Sequence, residues 1–61
     1  HINYAEILIN TIDSVLYSTA LDWRDYAKVG SAGSLLADRL ICNLEEIMGV
    51  YIRSYYLGCD L

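Results

Sequence analysis

Through the first half of the chain, positions 2, 5, 9, 12, 16, 19, 23 and 26 alternate steps of three and four residues. They hold Ile2, Ala5, Ile9, Ile12, Leu16, Thr19, Trp23 and Tyr26, with Thr19 as the one weak point. A helix advances about 100° per residue, so this alternation lays the residues along a single packing seam. Leu8, Val15 and Ala27 join that side, while Asn3, Glu6, Asn10, Asp13, Arg24 and Lys28 gather opposite. The pattern predicts a first helix over residues 1–29, periodic from Ile2 to Val29. Its start carries the usual signals: Asn3 can cap, Glu6 follows three residues later, and Ile2 can pack on Ile7 as a hydrophobic staple. The staple accounts for Ile7 lying off the main apolar side.

A second periodic segment occupies residues 35–61. Leu36, Ala37, Leu40, Ile41, Leu44, Ile47, Met48, Tyr51, Ile52 and Tyr55 share one side, and Asp38, Arg39, Glu45, Glu46 and Arg53 the other. This predicts one continuous helix to about Leu57, with Ser34 as its N-cap and Gly58 as its stop. The chain has no Pro to interrupt either helix. Gly49 falls inside the second one, where it costs about 1 kcal/mol relative to Ala; it is either a tolerated defect or the mark of a kink or close helix approach.

Residues 30–34, Gly-Ser-Ala-Gly-Ser, separate the two segments. A five-residue connection suits an antiparallel helical hairpin, so the expected fold class is all-α. Two readings of the connection stay open. It is a natural Gly/Ser loop, or an artificial tether joining two natural partner helices into a single-chain complex. The flanking helices do not look designed, since they hold Cys and many Tyr and Asn but almost no Glu–Lys pairs four apart. On the tether reading His1 is the remnant of a cleaved tag.

The apolar arcs point toward function. Each spans about 160° of its helix, against the ~100° of an ordinary one-sided helix. Two helices side by side cover only a stripe of each, and an uncovered apolar stripe marks an interface. The expected solution is two hairpins packed as a four-helix bundle, a homodimer, or one hairpin that receives a helix of another protein. The residues expected to carry this contact are Leu8, Ile12, Leu16, Trp23 and Tyr26, with Leu40, Leu44, Ile47, Tyr51 and Tyr55 facing them. Every aromatic ring is Tyr or Trp, the types enriched at interfaces. Tyr17 and Leu21 on the first helix, and Leu35, Val50 and Tyr56 on the second, lie toward the polar sides and form a weaker second surface.

Composition narrows the classes. With 61 residues there is room for one domain, and a chain this short is marginal alone. Eight acidic against four basic residues, net charge −4, exclude a nucleic-acid binder, which needs clustered Lys and Arg. No stretch reaches the ~18 apolar residues of a membrane span, and acid-rich polar faces disfavour a lipid-surface hairpin, the least favoured reading. Two Cys and one His are too few for a structural zinc site. On one continuous helix Cys42 and Cys59 lie about 25 Å apart, too far for a bridge within one chain; a bridge between chains stays open, and two reduced thiols in a soluble intracellular protein are expected. Glu45 and Glu46 read as a solvated face. No catalytic residue, cofactor or metal site emerges; the expectation is a dimerisation or docking module, not an enzyme.

Overall fold

The computed structural model describes residues 3–60, with the side chains of Ala5 and Glu6 excepted. Three helices follow in order: α1 (Tyr4–Tyr26), α2 (Ala32–Met48) and the one-turn α3 (Ser54–Leu57). The described chain is all-helical. α1 and α2 form the hairpin, and α3 folds back against α2. The molecule is elongated, 45 × 21 × 14 Å. Among the described residues no helix is long and apolar enough to cross a membrane.

α1 begins directly after Asn3, whose carbonyl accepts the Ile7 N–H at 3.1 Å. Ile2, and with it the expected staple, lies outside the described residues, as does His1. After α1 the chain turns tightly, with the Ser31 N–H donating to the Lys28 carbonyl at 2.9 Å and Gly30 at φ 80°. That left-handed position is one glycine occupies without a Cβ penalty. The N-cap of α2 is Ser31, not Ser34: its side chain accepts from the Ser34 N–H at 3.2 Å. α2 thus starts three residues earlier than the periodicity suggests, and Ser34 is buried inside it. The Gly-Ser-Ala-Gly-Ser segment is mostly turn, cap and first helical turn. Gly33 lies under the Trp23 indole, where an added Cβ would meet Nε1 at 3.1 Å.

The expected continuous second helix is broken at Gly49. There φ is 73°; the Gly49 N–H reaches back to the Glu46 carbonyl at 3.2 Å and the Val50 N–H to the Glu45 carbonyl at 3.0 Å. These paired bonds form a Schellman motif, in which glycine takes the left-handed residue and the last carbonyls are satisfied. Gly58 repeats the device at the end of α3, with the Cys59 N–H on the Ser54 carbonyl at 3.0 Å. The two reversals bring residues 50–60 back along α2, and the expectation of free thiols fails with the continuous helix. Cys42 and Cys59 are disulfide-bonded, their Cα atoms 5.7 Å apart across a sequence separation of 17.

The largest correction concerns which side of α1 meets α2. The protected positions on α1 are Asp13, Tyr17, Ala20, Leu21 and Arg24, with Ala27 just past its end; Ala20 is buried and the rest half-buried. Asp13, Tyr17, Ala20, Arg24 and Ala27 repeat the three-four rhythm of the expected seam, each displaced by one residue. A one-residue shift rotates the helix by about 100°. On α2 the buried set is Ser34, Ala37, Ile41, Leu44 and Glu45. Ala20, Ala37, Ile41 and Leu44 are the whole of the buried apolar core among the described residues.

Two outcomes follow for stability. Leu44→Ala should cost about 2–5 kcal/mol, because this core has little else to lose. Replacing both cysteines by Ser should cost about 3 kcal/mol by the loop-closure argument. Urea denaturation read by helix circular dichroism measures each, and an unchanged midpoint would contradict the placement.

Candidate functional site

Two features of the hairpin bear on function: a buried carboxylate that orients its elements, and the apolar surface left outside as a result. Glu45, expected on a solvated face, has no exposed surface at all. Its carboxylate accepts the Tyr17 hydroxyl from α1 at 2.6 Å, the Arg53 N–H at 3.0 and 3.1 Å, and the Ser54 N–H at 3.0 Å. One side chain of α2 therefore ties α1 to the start of α3. A buried charge without such partners would be strongly destabilising.

Burial pushes the Glu45 carboxyl upward, but the Tyr17 hydroxyl and the Arg53 and Ser54 N–H groups stabilise the ionised form more. The net position lies below the ordinary glutamate value. Burial, the hydrogen bond to Glu45 and that residue's negative charge push the Tyr17 hydroxyl up to about 12, against a smaller lowering by Arg53. An ionised carboxylate saturated with donors is neither a free acid nor a free base. It is a structural anchor and offers no general acid–base chemistry.

Toward the hairpin turn, the Arg24 guanidinium pairs with Asp38 across α1 and α2. Together with Tyr17–Glu45 and Trp23 over Gly33, this fixes the rotation of α1 by contacts from Tyr17 to Arg24. Arg24, expected on the solvated side, is in fact an inter-helix contact.

The expected contact residues divide unevenly. Leu44 is core. Leu8, Ile12, Leu16, Trp23, Tyr26, Leu40, Ile47, Tyr51 and Tyr55 are all exposed. Ile7, Ile9 and Val15 extend the α1 surface. Leu16, Thr19, Ala20 and Trp23 of α1 face Leu36, Ala37 and Leu40 of α2 across an open apolar groove of about 230 Å³. The Trp23 ring, which lines it, stands 5.8 Å from the Tyr26 ring. Tyr51 and Tyr55 do not join this groove; the break at Gly49 carries them to a separate cleft with Glu46. Tyr17 and Leu21, read as a weaker outer surface, are half-buried on the protected side of α1.

Among the described residues no group of three His, Cys, Asp or Glu could hold a metal ion. Compared with family models, curated proteins and solved structures, the chain matches none.

The coupled pair predicts a pH profile. Glu45 contributes stability that is present above its unfolded value of 4.5 and is lost as pH falls through its lower folded value. Tyr17 contributes stability that is present below 10.0 and lost as pH rises toward about 12. Tyr17→Phe should cost about 1.5–3 kcal/mol at neutral pH, the range for a hydrogen bond to a charged group, and should blunt the alkaline loss. Thermal melts of wild type and variant across pH check both; parallel alkaline profiles would contradict the assignment.

Proposed function

We propose that this chain is a protein–protein interaction module that associates with a second copy of itself through the apolar stripe of α1. One observation carries the reading. Leu8, Ile9, Ile12, Val15 and Tyr26 remain exposed after α1 has packed against α2, because α1 packs mainly through the neighbouring stripe, and Leu16 and Trp23, which border α2, keep about half their surface open.

Size supports the same reading. A compact monomer of 6.9 kDa exposes about 4,000 Å². This chain exposes 4808 Å², about a fifth more. Among the described residues only two buried side chains larger than Ala, Ile41 and Leu44, form its apolar core, so beside the disulfide the chain has little apolar burial to stabilise it alone. Two hairpins laid stripe to stripe as a four-helix bundle bury the excess and complete the core. A helix of another protein in the same groove is the alternative occupant. The disulfide supports an oxidising compartment over a reducing one.

Light scattering over a dilution series tests the proposal. The expected mass at high concentration is twice the 6.9 kDa of one chain, falling on dilution. Ile12 is half-exposed in one chain, so Ile12→Asp should leave the hairpin helical yet keep it monomeric. A wild-type mass of one chain at millimolar concentration would overturn self-association.

A further inference from the structure

The break at Gly49 builds a second surface feature, remote from the α1 stripe. Tyr51, Ser54, Tyr55 and Cys59 of the returning segment and Glu46 of α2 enclose an open cleft of about 430 Å³. Tyr51 and Tyr55 are exposed, so their rings are open to a ligand. Glu46 is exposed and, among the described residues, makes no ion pair. No cationic side chain lines the cleft.

From this we infer that the cleft formed by Glu46, Tyr51 and Tyr55 receives an arginine side chain of a partner polypeptide. The chemistry of the walls selects it. Tyr rings carry negative electrostatic potential on their faces and attract cations placed over them. A planar guanidinium stacks on such a ring while its N–H fork meets a carboxylate, a combination the compact ammonium of lysine does not match. The charge of the whole chain acts in the same direction. Eight acidic residues against four basic ones give a net −4, so the field around the molecule draws in basic partners and repels acidic ones. The disulfide holds Cys59 against α2, and the Glu45 carboxylate holds the Arg53 and Ser54 backbone, so the segment bearing both rings is fixed before any partner arrives. The site shares no residue with the α1 stripe and stands whether or not the chain self-associates.

The test is a titration of the isotope-labelled full chain, followed by amide NMR shifts. N-acetyl-arginine amide is the probe and N-acetyl-citrulline amide, its uncharged isostere, the control. Saturable shifts centred on Glu46, Tyr51 and Tyr55 are expected with arginine, and much weaker ones with citrulline. Tyr55→Ala removes an exposed ring and should weaken binding about two- to fivefold. Glu46→Gln should weaken it as well and reduce its salt dependence. The inference is overturned if arginine produces no saturable shift, if citrulline binds equally, or if both variants bind as the wild type does. Solution mass measured on the same samples keeps this result separate from the question of self-association.

Discussion

The structure turns on the buried carboxylate of Glu45. An ionised group with no access to water must find its donors within the fold, and Glu45 finds them in segments that precede and follow its own helix in the chain. The Tyr17 hydroxyl comes from α1 and the Arg53 and Ser54 N–H groups from the turn into α3. Meeting these demands sets where α1 lies, how it is rotated, and how the chain returns after Gly49. The Cys42–Cys59 bridge closes the same return at its far end. Arg24 and Asp38 repeat the logic near the hairpin turn, joining the two long helices by opposite charges.

The rotation of α1 has a consequence that reaches the surface. Because Tyr17, Ala20 and Arg24 face α2, Leu16, Thr19 and Trp23 sit at the edge of that contact, beside Leu36 and Leu40 yet still exposed, and Leu8, Ile9, Ile12 and Val15 are exposed along the rest of α1. The hairpin is held by a few polar contacts and a small core, and its larger apolar residues are left for something else. Polar contacts specify one arrangement strongly but add little net stability, since their gain is set against desolvation. Apolar burial supplies the bulk of stability in most folds. Here that contribution is largely unused within one chain, and the proposed association would make it available.

Much of the fold was legible from the chain: two long helices, a connection near Gly30, a helix start after Asn3 and apolar arcs too wide for a lone hairpin. What was not legible has specific physical causes. The seam was off by one residue because the inner contacts of α1 are Asp13, Tyr17 and Arg24, which a hydrophobicity pattern assigns to solvent. Glu45 looked like a surface acid because its partners are the Tyr17 hydroxyl on the other long helix and backbone groups eight and nine residues on, reachable only after the chain reverses. That reversal rests on Gly49, which the sequence leaves as a tolerated defect or as a kink or close helix approach, and no neighbouring residue such as Pro marks it as the end of the helix. The disulfide followed from the same choice, since Cys42 and Cys59 are far apart on a straight helix and adjacent on a reversed one. Ser31 and Ser34 are equivalent as caps by spacing, and neither is followed by a Glu three residues on, so the sequence offers nothing to separate them.

The central claim is that the Tyr17 side of α1 faces its own α2 while the Ile12 side faces outward. An isotope-filtered NOE experiment on a mixture of labelled and unlabelled chains at millimolar concentration reads this directly. The account predicts contacts within one chain from the Tyr17 ring to the Glu45 side chain, and contacts from the Leu8 and Ile12 methyls only between chains. Contacts within one chain from Leu8 and Ile12 to α2, with the Tyr17 ring free, would contradict it.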